Sequence, residues 1–347
     1  QAARLANRLL LQRQGAARPG IYEGVFESVE LLDKLADDYG PDYGWSPSQL
    51  NRYGACPYGF FARVILQLDP LPEPQEGVDV RQRGNLLHAL LEELHSCLHS
   101  EGLALTAEHR EAVLERLDDC CAALFDAAPR RYGFRAGPLW EYEKEELHRL
   151  LRALVAWECE TENGGAQFQP AYQEVRFGLH GTLTRLPLED AFGIPFDLHG
   201  VIDRIDQDAE GYIRIIDYKS GSQTYSENDI RRGLAFQSAL YALAAERLLP
   251  DISGVVDSYY LHLPTRKRSG HLRFASQVYD NDVVREAVAQ AALFVASVRA
   301  GYFPSAPGKP GQGHLCRSGC EYAGLCRVTR RSVAKAGQFE NQGDDGD

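Results

Sequence analysis

Gly200-Val201-Ile202-Asp203-Arg204-Ile205-Asp206, followed after a polar turn by Tyr212-Ile213-Arg214-Ile215-Ile216-Asp217-Tyr218-Lys219-Ser220-Gly221, is the stretch on which the fold turns. Apolar and polar residues alternate through both halves, the period of strands, and Asp206 to Gly211 reads as the turn of a hairpin. Alternate residues of an extended chain share a face, so Ile213, Ile215, Asp217 and Lys219 point one way, and an acid and a lysine end an apolar face. The short turn lets Asp203 lie beside Asp217. Two carboxylates so placed repel each other unless a cation sits between them, and hard oxygen ligands of this kind suit Mg²⁺ or Mn²⁺. A lysine there could orient or help deprotonate a water, or offset charge developing on a phosphate. A plain salt-bridged hairpin, Asp217 with Lys219 or Asp203 with Arg204, would use the same residues without chemistry.

Outward from this hairpin, Tyr172 to Leu179, Phe196 to Ile205 and Val255 to Leu263 also read as strands. Helical spacing covers Asp229 to Leu248 and about 281–300. Upstream the chain is helical. Ser46-Pro47-Ser48 is a helix opening, with Ser as N-cap and Pro in the first turn, leading to Cys56-Pro57-Tyr58. Beyond a connector from Pro70 to Pro74, Leu86, Leu87, Leu90, Leu91, Leu94 and Leu98 form one apolar face of a long helix, with further helices at about 107–127 and 141–162. The expected fold is α/β, a mixed central sheet flanked by helices with an added helical region. Three features could join the hairpin's acids: Glu174 in an upstream strand, His88 in the polar phase of the leucine helix, and Gln237 with Tyr241, four apart on the helix after the lysine strand.

The 347 residues carry 37 Lys and Arg against 49 Asp and Glu, a net charge of −12, which excludes a wholly basic nucleic-acid coat. Local basic patches remain: Arg266-Lys267-Arg268, Arg231-Arg232, and Arg327 with Arg330 and Arg331. Tyr58, Phe60 and Phe61 could stack on single-stranded bases, although helix packing is the simpler use. No long apolar run or basic-then-apolar leader is visible, so no membrane partner and a cytoplasmic location are expected. Methionine is absent and residue 1 is Gln, which suggests an excised segment or missing residues. Residues 1–45 read as a peripheral arm, 46–335 as the main domain and 336–347 as a disordered acidic tail. Of eight cysteines, Cys97, Cys120, Cys121 and Cys159 lie in apolar helical patterns and read as buried side chains. Cys316, Cys320 and Cys326 form a tight thiolate group among turn-permitting glycines at 311, 313, 319 and 324. Three thiolates need a fourth, and Cys56 would tie the two ends of the chain together across the domain.

The ordered set of Arg83-Gly84 with His88, then Glu174, Gly-x-x-Asp-Arg-x-Asp around Asp203, Asp217-Tyr218-Lys219 and Gln237-x-x-x-Tyr241 resembles the RecB-type branch of the PD-(D/E)XK nucleases over residues 83–241. That resemblance implies a restriction-endonuclease-like core and a metal-dependent DNA nuclease. It assigns metal binding to His88, Asp203, Asp217 and the Tyr218 carbonyl, support of the metal or its water to Glu174, and activation of the nucleophile to Lys219. Gln237 and Tyr241 would contact DNA or steady the site. Exonuclease action on DNA ends or single strands in recombination and repair is implied, often coupled to a helicase subunit. No Walker Gly-x-x-x-x-Gly-Lys-Ser/Thr is present, so ATP-driven unwinding would come from elsewhere. Cys56, Cys316, Cys320 and Cys326 look like the iron-sulfur staple of AddB-type nucleases, which holds a [4Fe-4S] cluster, while four thiolates also suit zinc. The competing classes are an inactive DNA-binding or scaffolding module and a zinc-stabilised interaction protein.

Overall fold

The computed structural model describes residues 19–69, 77–160, 167–179, 183–190, 193–305 and 320–326. Its first elements are α1 (Val29–Asp38), the short strand β1 (Gly44–Trp45), α2 (Pro47–Ala55) and α3 (Pro57–Phe60), the last running on through a π turn at Phe61–Ile65. The start of α2 is the one its sequence encodes. Ser46 Oγ accepts from Gln49 N–H and Gln49 Oε1 accepts from Ser46 N–H, so two orphan donors are satisfied reciprocally. Then come α4 (Val80–Glu101), α5 (Arg110–Tyr132) and α6 (Pro138–Glu158). Asp79 caps α4 through Gln82, and Gly102, in the left-handed conformation at φ 66°, ends it. The leucine face of α4 packs in one cluster with Leu117 and Phe125 of α5, Trp140 and Leu151 of α6, and one face of the sheet.

The main sheet has the order β2 (Gln169–Phe177), β5 (Gly200–Gln207), β6 (Tyr212–Lys219), β7 (Gly254–His262), β8 (Lys267–Arg273). The pair β6/β7 is parallel and the other neighbours are antiparallel, so the sheet is mixed. The predicted hairpin forms, with Ile205 opposite Ile215. Ile213 and Ile215 enter one core and Ile216 and Tyr218 the other, so β6 is covered on both faces. Burying each such isoleucine contributes about 1.5–3 kcal/mol. Helices α8 (Gln237–Leu248) and α9 (Asp282–Arg299) cover the face opposite α4.

Two predicted elements are each two in the structure. The run Phe196 to Ile205 divides at His199 into β4 (Pro195–Leu198) and β5; β4 pairs with β3 (Leu186–Glu189) and β1 in a separate three-stranded sheet. His199 N–H donates to Trp45 O at 2.9 Å, and a Cβ on Gly200 would stand 2.8 Å from the Tyr241 ring, so the chain turns where a side chain has no room. The helical run from Asp229 breaks at Gly233, φ 76°, into α7 (Glu227–Arg231) and α8, and Asn51 Oδ1 accepts from Phe236 N–H at 2.9 Å. Periodicity crossed both breaks because residues on either side remain buried.

Leu35, Tyr39 and Trp45 belong to the main core. Phe60 is fully buried, its ring stacked at 6.1 Å from Trp45 and 6.4 Å from Phe303, and Phe61 packs on Phe303 and Phe26. These aromatics are core packing rather than a base-stacking platform. Among the described residues no helix is long and apolar enough to cross a membrane.

Candidate active site

Pairing of β5 with β6 runs from Gln207/Ile213 to Arg204/Ile216, and the next residues in register, Asp203 and Asp217, meet at the end of the ladder. There a carboxylate replaces a backbone partner: Asp203 Oδ2 accepts from Tyr218 N–H at 2.7 Å. On the other side of β5, Gln173 pairs with Arg204 and Val175 with Ile202, so Glu174 lies opposite Asp203. Glu174 has φ 48°, in the left-handed region, where a non-glycine residue is strained.

Asp217 is buried and engaged from two sides. Lys219 Nζ lies 2.5 Å from Asp217 Oδ2, an ion pair that lacks hydrogen-bond alignment and leaves Oδ2 without an aligned donor, while Gln237 Nε2 donates to Oδ1 at 2.7 Å. Gln237 Oε1 in turn accepts from Lys219 Nζ at 2.8 Å, closing a triangle at the first turn of α8. Burial, with Asp203 adding repulsion against the attraction of Lys219, pushes the Asp217 carboxyl up to about 6. Burial pulls the Lys219 ammonium down, but Asp217 outweighs it and the net shift is upward. Lys219 also lies 4.9 Å above the ring of Tyr260, an aromatic contact the sequence did not announce. Tyr241, one turn after Gln237, is buried with its ring edge-on to Phe177; burial and then the nearby Asp217 and Asp203 push its hydroxyl well above the usual range.

His88 reaches the same place from α4. Its Nδ1 is 3.5 Å from Asp203 Oδ1 and 3.8 Å from Glu174 Oε1, and among the described residues ligand atoms of His88, Glu174 and Asp203 all lie within 4.8 Å of one another. Burial favours neutral imidazole, but the carboxylates of Asp203 and Glu174 overrule it and raise His88 to about 10. One nitrogen and several carboxylate oxygens, crowded enough to hold a proton that burial would expel, form a donor set suited to a divalent cation. Asp217 is not within this tight group; its carboxylate is turned to Lys219 and Gln237. The Tyr218 side chain points to the opposite face, where its hydroxyl accepts from Arg204 Nη1 at 3.2 Å.

That opposite face holds a network that the motifs did not point to. Arg204, buried, donates to Asp206 Oδ1 at 2.5 Å and Glu158 Oε1 at 2.6 Å, and Arg214 Nη2 donates to Asp206 Oδ2 at 2.7 Å. Of the alternative salt-bridged hairpin, the Asp203–Arg204 pair therefore does not form, because adjacent residues of a strand face opposite ways, whereas the Asp217–Lys219 pair does. The period-two signal was available, since Arg204 and Asp206 on β5 and Arg214 on β6 fall in the phase opposite to Asp203, Asp217 and Lys219.

Of the thiols expected to hold a cluster, Cys316 lies outside the described residues, as do Arg327, Arg330, Arg331 and the 336–347 tail. Cys56 caps α3, its Sγ accepting from Gly59 N–H at 3.4 Å. Burial raises the Tyr58 hydroxyl, with Cys326, Cys56 and Cys320 adding to the shift; among the described residues these thiols do not form a metal-sized cluster. Tyr322 donates from its hydroxyl to Leu68 O at 2.9 Å, fastening the 320–326 segment to the chain after Cys56. Cys120, Cys121 and Cys159 are buried as expected, whereas Cys97 is partly exposed beside Glu93. In the basic patches, Arg231 pairs with Asp282 and Glu286, and Arg268 stacks 4.7 Å over Tyr259.

The PD-(D/E)XK nuclease superfamily profile matches residues 44–327. Relatives include an ATP-dependent helicase/deoxyribonuclease subunit from Caldanaerobacter subterraneus, 28% identical over 224 residues, covering 64% of this chain and 19% of that protein. The protein of the same name from Clostridium botulinum is 24% identical over 238 residues with the same coverages, and that of Alkaliphilus oremlandii is 29% identical over 202 residues, 56% of this chain and 17% of that protein. The chain thus spans about a fifth of the length of the first relatives it matches.

Proposed function

The chain belongs to the PD-(D/E)XK nuclease superfamily, and from that membership we propose that the β5/β6 end hydrolyses phosphodiester bonds of DNA in a reaction dependent on Mg²⁺ or Mn²⁺. The observation that carries this reading is the meeting of His88, Glu174 and Asp203 with the Asp217–Lys219–Gln237 triangle. His88, Glu174 and Asp203 would hold the cation, which would neutralise the carboxylates and stabilise the leaving oxygen; Asp217 and the Tyr218 carbonyl, the further ligands implied by the resemblance, would join them only once Asp217 turns away from Lys219 and Gln237. Lys219 orients the attacking water and offsets charge on the phosphate; an ammonium held charged by Asp217 is poorly suited to take the proton. Gln237 fixes both Lys219 and Asp217, and Tyr241 steadies the strand beneath them.

The catalytic unit extends over residues 46–335. Its action is exonucleolytic, on DNA ends or single strands during cytoplasmic recombination and repair, beside a helicase subunit; the names of the relatives support this reading. Cys56, Cys316, Cys320 and Cys326 would hold a [4Fe-4S] cluster stapling the chain's ends, a reading that rests on the resemblance to AddB-type nucleases alone. The test is cleavage of end-labelled single- and double-stranded DNA with Mg²⁺, Mn²⁺ or chelator. Metal-dependent products shortened from an end are expected. DNA bound but never cut would make the chain an inactive binding module, and internal cuts alone would overturn the exonuclease assignment.

A further inference from the structure

Lys219 is the last residue of β6, and the chain leaves it through Ser220 to Tyr225, of which Gly221, Ser222, Gln223 and Thr224 are exposed. An exposed, glycine-containing exit of this kind would let the strand end fray, and with it the ammonium. It is instead tied down at Gly221 by the buried His262 and at Tyr225 by Ser269 and Gly270. His262 is the register partner of Lys219 in the parallel β6/β7 pair, is 0% exposed, and is followed by Leu263, whose N–H donates to Lys219 O at 3.0 Å. Its Nδ1 lies 3.1 Å from Gly221 O, and its Nε2 lies 2.7 Å from Ser269 Oγ.

The bonds fix the tautomer. A carbonyl oxygen can only accept, so Nδ1 carries the proton. Ser269 Oγ accepts from Tyr225 N–H at 3.2 Å, and with the neutral ring protonated at Nδ1 its hydroxyl donates to Nε2. Gly270 N–H donates to Tyr225 O at 2.8 Å and completes the circuit. Two residues earlier on the same face, Tyr260 lies beneath the Lys219 ammonium. The β7–β8 hairpin therefore grips the exit from Lys219 at Gly221 through the His262 imidazole and at Tyr225 through Ser269, which that imidazole holds, and Gly270.

We propose that His262 is a positioning residue for the nuclease reaction. By holding Gly221 and Ser269 with opposite ring nitrogens, it sets the strand end from which Lys219 meets the phosphate. The proposal rests on the nuclease reading above, and an ångström of misplacement at such a group lowers turnover by up to about 100-fold. A histidine that merely fills the core would act through stability alone.

The experiment compares wild type, His262→Leu, His262→Asn and Ser269→Ala in DNA cleavage, Mn²⁺ titration and thermal melting. His262→Leu keeps volume without a donor; His262→Asn keeps an amide donor near the Nδ1 position. The expected result is a fall in kcat of about 10- to 100-fold in the Leu variant, with KM and Mn²⁺ affinity little changed. The Asn variant should recover most of the kcat even where it melts no higher than the Leu variant. Asn no better than Leu, or activity that follows melting temperature across the set, would overturn the proposal. Should His262→Leu fail to fold, Ser269→Ala decides: a reduced kcat in a folded protein supports the positioning role, and an unchanged kcat removes it. A wild-type chain that cuts no DNA would overturn the nuclease reading itself, before any substitution is compared.

Discussion

Glu174 holds a backbone conformation that suits glycine, at φ 48°, and in doing so brings its carboxylate to His88 and Asp203. Left-handed geometry costs a non-glycine residue about 1–2 kcal/mol, partly offset in a glycine variant by the greater entropy of its unfolded chain. Glu174→Gly should therefore melt no lower than wild type without metal, yet bind Mn²⁺ at least ~10-fold more weakly; calorimetry and titration read both. His88 gives a second prediction, with a definite sign. Its folded pKa is raised to about 10, so the stability that its proton contributes is full below the unfolded value and is lost as pH rises through about 10. A cation taking Nδ1 must displace that proton at neutral pH. Titration calorimetry in buffers of different ionisation enthalpy should show proton release on Mn²⁺ binding that disappears in His88→Ala. At this scale the acids and the lysine were legible in the sequence because period two fixes their face, whereas Tyr260 and His262 were not, because they reach Lys219 only through the parallel register of a later strand.

The strands β5 and β6 each divide their labour between faces, carboxylates and lysine toward the site and a sealed ionic network toward α6. Burial raises the Asp206 carboxyl, but Arg204 and Arg214 more than compensate and hold it below the usual range. Its folded pKa is thus depressed. The corresponding stability is present above the unfolded value and is lost as pH falls through the folded one, so acid unfolding should begin in the range below about 4. Asp206→Asn leaves two buried guanidinium groups short of charge and should cost about 3–5 kcal/mol in urea unfolding, with a weaker acid transition. The same alternation that made the strands legible hid one boundary, since His199 and Gly200 separate two strands that both continue the pattern. The second boundary, at Gly233, carried a glycine signal that helical spacing overrode.

Across the whole molecule, α4 to α6 on one face and α8 with α9 on the other press on the central strands, and α4 and α8 deliver His88 and Gln237 from opposite layers to one sheet end. That convergence needed no side-chain detail to anticipate, only the order of motifs along the chain. The proposed thiol staple would join positions more than two hundred residues apart, and spacing alone cannot fix its metal. Purified protein should contain iron and sulfide and absorb broadly in the visible, and Cys56→Ala should lose both and melt lower; a colourless zinc protein would replace the cluster. The central claim, that these layers assemble a cation site at the β5/β6 end, is tested most directly by anomalous diffraction from crystals soaked in Mn²⁺. One strong peak among His88, Glu174 and Asp203 is expected, lost in Asp203→Asn. A fully soaked crystal with no peak there, or with manganese bound only elsewhere, would contradict it.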